Sequence, residues 1–126
     1  NKKKFIPLNV SAPFHCTLMK PAAEIMKEKI NKTNFSKPIS DVINNVTAEA
    51  ESNPETIKQL LIQQIYSTVK WRESILMLSS KGVKNFIEIG PGKVLTGMVK
   101  RTLKDINSFS INSINDIKNL TNEFKK

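Results

Sequence analysis

A run of strand-forming residues, Asn85-Phe86-Ile87-Glu88-Ile89, leads directly into Gly90-Pro91-Gly92 and then into apolar residues at helical spacing, Val94, Leu95, Met98 and Val99. Strand, glycine turn and amphipathic helix in that order make an α/β unit, because the turn chemistry ends a period of two and lets a period of 3.6 begin. Phe5 to Val10 is rich in strand formers and is broken by Ser11-Ala12-Pro13. A helix of ten residues or a little more opens at Pro21, with Ala22, Ile25, Met26 and Ile30 as its apolar face. Pro38 to Val46 reads as a strand. Ser52-Asn53-Pro54-Glu55 then starts a helix: a capping side chain, a first-turn proline and an acid at the positive dipole end. That helix carries Ile57, Leu60, Leu61 and Ile65 on one face. Trp71, Ile75 and Leu78 mark another, closed by Ser79-Ser80-Lys81-Gly82. Ser108 to Ser113 and Ile114 to Phe124 supply a last strand and helix. The order β-α-β-α-α-β-α-β-α predicts an α/β fold with a mostly parallel sheet covered by helices, and 126 residues suffice for one domain.

Charge narrows the partners. Eighteen Lys and two Arg against eleven acids leave a formal charge of +9, which raises nucleic acid as a partner. Base-edge readout favours Arg, which is nearly absent, and the eight aromatic residues do not interleave with the lysines. The balance therefore points away from nucleic acid and toward an acidic protein. No apolar run approaches the roughly 20 residues of a membrane helix, so no membrane partner is expected. The basic start lacks the apolar core and cleavage site of a signal peptide, which makes a cytoplasmic location the expectation. One Cys and one His exclude an internal disulfide and the metal sites built from paired cysteines or several imidazoles, so neither a metal nor another cofactor is expected.

Two segments could carry chemistry. Gly90-Pro91-Gly92-Lys93 fails both phosphate patterns: Gly97 comes two residues late for a dinucleotide fingerprint, and Val94 stands where a P-loop needs Ser or Thr. It reads as a tight turn. His15 sits in a loop after a strand, where α/β enzymes place functional groups, and a neutral imidazole there suits a general base. Its neighbour Cys16 points away in an extended loop, which disfavours a His15/Cys16 dyad, and no Gly-x-Ser-x-Gly elbow is present. Gln64 falls on the apolar face of its helix. It is either a satisfied amide at the core's edge or the lining of a polar site.

Four motifs, taken together, resemble a known family. Ser11-Ala12-Pro13-Phe14-His15-Cys16 with Leu18-Met19-Lys20-Pro21-Ala22-Ala23, Val42-Ile43-Asn44-Asn45-Val46, Gln63-Gln64-Ile65-Tyr66 with Val69-Lys70-Trp71, and Glu88-Ile89-Gly90-Pro91-Gly92-Lys93-Val94-Leu95-Thr96-Gly97 with Lys100-Arg101 look like the C-terminal part of the bacterial malonyl-CoA:acyl carrier protein transacylases. The resemblance covers essentially the whole chain. It implies that residues 1–126 are the C-terminal portion of an α/β-hydrolase-like acyltransferase large subdomain, with 1–10 returning from a small ferredoxin-like insertion. It implies ping-pong transfer of malonyl, in fatty-acid synthesis, from coenzyme A to a serine and then to acyl carrier protein.

By the same resemblance His15 matches the catalytic general acid/base, and Gln64 matches the residue whose main-chain carbonyl orients it. Phe14 matches a position that selects malonyl over methylmalonyl. Malonyl-CoA is then a substrate and acyl carrier protein a partner, with no metal. The family's serine elbow, its carboxylate-binding arginine and its oxyanion loop lie upstream of the motifs present here, and the chain begins with Asn. The expectation is a fragment, inactive alone, whose further partner is the missing N-terminal part of the same enzyme. The charge supports a second reading, a non-catalytic basic remnant or split subunit that binds an acidic protein.

Overall fold

The structure, a computed structural model, describes residues 11–125, so the strand expected at Phe5 to Val10 lies outside the described residues. The chain divides into two compact units between Lys70 and Trp71.

In the first unit a 3₁₀ turn, Thr17–Met19, runs into helix α1 (Lys20–Lys32), with Pro21 in the first turn and Lys29 and Lys32 at the negative dipole end. Ala23 is fully buried where α1 packs on α2, while Ile25 and Met26 are exposed. The apolar face expected from spacing is thus only partly covered: Ala22 and Ile30 are half-buried, and the residue that sits deepest in the contact is Ala23.

Pro38 to Val46 does not form the expected strand. Only Val42–Ile43 (β1) pairs, antiparallel, with Ala50–Glu51 (β2), and a turn closes the hairpin. Asn44 builds that turn: its Oδ1 accepts the Val46 and Thr47 N–H groups at 3.1 and 2.8 Å, and its Nδ2 donates to the Glu49 carbonyl at 3.0 Å. A side chain that competes so well for backbone partners ends a strand.

Helix α2 (Pro54–Gln64) starts where its capping residues predict, with Asn53 Oδ1 accepting the N–H groups of Glu55 and Thr56. Its most buried residue is Ile62, and Leu61, expected inside, is exposed. Lys20 Nζ lies 5.9 Å from the centre of the Tyr66 ring, fastening the start of α1 beside the end of α2.

The second unit contains α3 (Trp71–Ser80), β3 (Asn85–Ile89), α4 (Val94–Thr102), β4 (Asn107–Ile111) and α5 (Ile114–Glu123). Strands β3 and β4 are parallel, with Ile87 opposite Phe109 and Ile89 opposite Ile111. Helix α4 packs on both strands and on α3, and α5 packs on β4, where the Phe109 and Phe124 rings sit 5.7 Å apart in a tilted pair. Val99 and Thr96 are buried in α4, whereas Val94 and Leu95 are exposed, so the expected face is turned toward Thr96. Along β3, Phe86 and Glu88 are half-buried and Ile87 and Ile89 exposed. The fold is therefore mixed α/β. Among the described residues its sheets are two pairs, one parallel and one antiparallel, rather than a single mostly parallel sheet.

Candidate active site

The loop before α1 is wound by its own backbone. The Phe14 N–H donates to the Ala12 carbonyl at 2.9 Å, and the Met19 N–H to the Cys16 carbonyl at 3.0 Å. His15 stands between them at φ +58°, a left-handed conformation that costs a residue with a Cβ about 1 kcal/mol. The Cys16 thiol turns back to the Pro13 carbonyl at 3.1 Å, and so is engaged within the loop rather than with the imidazole.

Across from this loop is the C-terminal end of α2. Every α-helix leaves its last carbonyls without an intrahelical partner. Here the Ile62 oxygen accepts from the Ile65 N–H and the Gln63 oxygen from the Tyr66 N–H, at 3.3 and 3.1 Å. The Gln64 oxygen instead faces the imidazole: His15 Nδ1 lies 2.8 Å from it. A carbonyl can only accept, so Nδ1 carries the proton and Nε2 presents its lone pair on an exposed ring. The partial negative charge of a helix C-terminus also favours a donor there.

The Gln64 side chain does something different from its main chain. Together with Ile57, Leu60 and Leu61 it lines a cavity of about 70 Å³ beside β1, and its Oε1 accepts from Asn45 Nδ2 at 3.1 Å. The Asn45 carbonyl in turn accepts the Lys70 N–H at 2.8 Å. The amide on the apolar face is satisfied, and the same residue meets the histidine. Asn45 was not a candidate on sequence grounds. Its contact spans 19 positions, which no local pattern reports, and the sequence signal for it is its place in the Val42-Ile43-Asn44-Asn45-Val46 motif.

Phe14 follows the same loop with 57% of its surface exposed, and among the described residues its ring pairs with no other aromatic. It is adjacent to His15 in the chain but not part of the hydrogen-bonded group.

The glycine turn has a structural job. Gly90 and Gly92 take φ of +133° and +96°, Gly90 N–H donates to the Ile111 carbonyl at 3.0 Å, and the Ser110 hydroxyl donates to the Gly92 carbonyl at 2.8 Å. The helix N-terminus behind the turn is already occupied by an anion of the chain itself, since Glu88 accepts the N–H groups of Leu95 and Thr96 at 3.1 and 2.8 Å. The Thr96 side chain and main-chain N–H hold the Glu88 carboxyl below its usual range. A phosphate would meet that carboxylate first. Among the described residues no three His, Cys, Asp or Glu side chains gather to hold a metal, and no helix is long and apolar enough to cross a membrane.

Comparison with known proteins gives this geometry a context. No family model matches the chain. It is 40% identical over 110 residues to the malonyl CoA-acyl carrier protein transacylase of Escherichia coli (strain K12), covering 87% of this chain and 36% of that protein. The crystal structure of acyl-carrier-protein-S-malonyltransferase from Bartonella henselae superposes with a TM-score of 0.88 at 43% identity, over 94% of this chain and 38% of that one. A malonyl-transacylase in complex with its type II PKS acyl-carrier protein gives a TM-score of 0.83 at 37% identity, over 93% and 38%. The chain spans little more than a third of the length of these relatives. Sequence and fold together make it a partial-length homologue of malonyl-CoA:acyl carrier protein transacylase.

Proposed function

We propose that the chain is the histidine-bearing part of a malonyl-CoA:acyl carrier protein S-malonyltransferase of fatty-acid synthesis, the C-terminal portion of an α/β-hydrolase-like large subdomain. The observation that carries this reading is the 2.8 Å contact between His15 Nδ1 and the Gln64 main-chain oxygen, which leaves Nε2 as the base. In this mechanism Nε2 takes the proton of a serine supplied by the rest of the enzyme. The serine oxygen bonds to the malonyl carbonyl carbon, the carbon–sulfur bond to coenzyme A breaks, and the imidazolium returns the proton to the departing thiolate. The second half runs in reverse: Nε2 deprotonates the phosphopantetheine thiol of acyl carrier protein, sulfur attacks the malonyl-serine ester, and serine leaves with the proton. Gln64 orients the ring without an aspartate, and Phe14 crowds the α-carbon of a branched acyl group.

The histidine is half of a catalytic pair, so the chain alone is expected to be inactive. The test is a chimera in which this chain replaces the corresponding C-terminal third of the Escherichia coli relative. Malonyl transfer to acyl carrier protein is expected, and His15→Ala should lower its rate by at least about 10²-fold, the usual contribution of a general base. A folded His15→Ala chimera with full activity overturns the reading. A folded but inactive parent chimera that still binds acyl carrier protein in a salt-dependent way would favour the basic remnant, which the +9 charge supports.

A further inference from the structure

Among the described residues, one hydrogen bond holds the His15 side chain. Its ring is exposed, its backbone is left-handed, and its described polar partner is the Gln64 oxygen. A strained, exposed residue keeps one orientation only if its partner is itself fixed. Residue 64 is the last of α2, where helices fray, so something must hold that carbonyl in place.

Resting on the functional reading above, we propose that Asn45 is the positioning residue for the histidine, acting through the side chain of Gln64. The Asn45 amide donates to Gln64 Oε1 at 3.1 Å. Asn45 is itself pinned from two directions. Its carbonyl accepts the Lys70 N–H, six residues beyond the end of α2, and the turn it occupies is built by the Asn44 side chain. Asn45 thus joins the β1–β2 turn to the last residue of α2 and to the segment that leaves it. Turning the Gln64 side chain away would free the peptide that follows it, and with that peptide the oxygen that faces Nδ1. Gln64 therefore has two separable parts: a main-chain acceptor for His15, and a side chain that is the handle by which Asn45 holds it.

This division makes the proposal testable, because the chain has a single histidine and its imidazole nitrogens give unambiguous NMR signals. Long-range ¹H–¹⁵N spectra of the full chain, recorded at alkaline pH where imidazoles are neutral, report which nitrogen carries the proton. Asn45→Leu and Gln64→Met each cut the side-chain bond and leave the position-64 carbonyl in place. Each is expected to lower the ratio of Nδ1–H to Nε2–H tautomer by about three- to tenfold, the worth of one neutral hydrogen bond. The double variant should be no worse than either single one, since both remove the same link. Asn45→Asp should restore the wild-type spectrum, because the Gln64 amide can turn over and donate to the carboxylate. In the chimera the single variants should lower kcat with KM unchanged.

An unchanged tautomer ratio in folded Asn45→Leu and Gln64→Met overturns the proposal, as do additive effects in the double variant. If Asn45→Leu does not fold, Gln64→Met and Asn45→Asp decide the question by the same spectra. An imidazole that responds as expected in a chimera whose His15→Ala variant is fully active would leave Asn45 as the positioning residue and remove only the functional reading.

Discussion

His15 Nδ1 lies 2.8 Å from the main-chain oxygen of Gln64, 49 residues away, and the histidine reaches it from a left-handed backbone. The pair joins a strained loop to a helix end, and the strain and the contact can be measured separately.

Glycine has no Cβ to crowd the left-handed conformation, so His15→Gly and His15→Ala lose the same hydrogen bond but differ in backbone cost. His15→Gly is expected to be the more stable of the two by about 1 kcal/mol in urea unfolding. Equal stabilities would mean that the loop relaxes out of the left-handed region once the imidazole is gone.

Phe14 is exposed and precedes His15 in the chain, and under the proposed function it meets the acyl group. In the chimera, Phe14→Ser is expected to raise kcat/KM for methylmalonyl-CoA relative to malonyl-CoA roughly tenfold, the discrimination one methyl group supports. An unchanged ratio removes Phe14 from substrate selection.

Glu88 is one source of pH dependence. Its carboxyl is held below the usual value of 4.5 by the Thr96 side chain and main-chain N–H, and Asp116 is held below 3.8 by the Asn112 N–H and the Ser113 side chain. A folded-state value below the unfolded one stabilises the protein at pH values above the unfolded value, and this contribution is lost as pH falls through the folded value. Urea midpoints should therefore drop below about pH 4.5. Glu88→Gln should be less stable than wild type at pH 7 and should show a smaller drop between pH 7 and pH 3.5. An equal drop in both proteins would place the acid sensitivity elsewhere.

In the second unit, Ile89 is 82% exposed and lines an open groove with Ile111, Ile114 and Ile117. Apolar patches of this kind drive association. Ile89→Lys should leave the urea midpoint nearly unchanged, as surface substitutions do, and should reduce self-association in sedimentation velocity at matched concentration. Undiminished association would place the sticky surface away from this groove.

Much of the second unit was legible in the sequence, because its signals are local. The strand Asn85–Ile89 and the turn after it rest on residue types within a few positions of each other, and the same holds for the start of α2 at Asn53 and Pro54. Spacing failed where a choice among apolar residues depends on what lies opposite. In α1 the close contact with α2 takes Ala23 and leaves Ile25 in solvent, and in α4 the Thr96 hydroxyl donates to the Phe109 carbonyl of β4, so Thr96 lies inward while Val94 is exposed. Pro38 to Val46 looked like a strand because Val42 and Ile43 are strand formers, but Asn44 offers the backbone better partners two and three residues on. At the candidate site, His15 could be singled out as a loop imidazole and Gln64 as a polar residue on an apolar face. Their contact, and the hold of Asn45 on it, join residues 49 and 19 positions apart.

The partner of His15 is a peptide oxygen. Unlike an aspartate, it has no proton to gain or lose between acid and alkaline solution, and it adds no charge to be screened by salt. Acid and ionic strength reach this contact only through the ring itself or through the shape of the helix end that carries the oxygen.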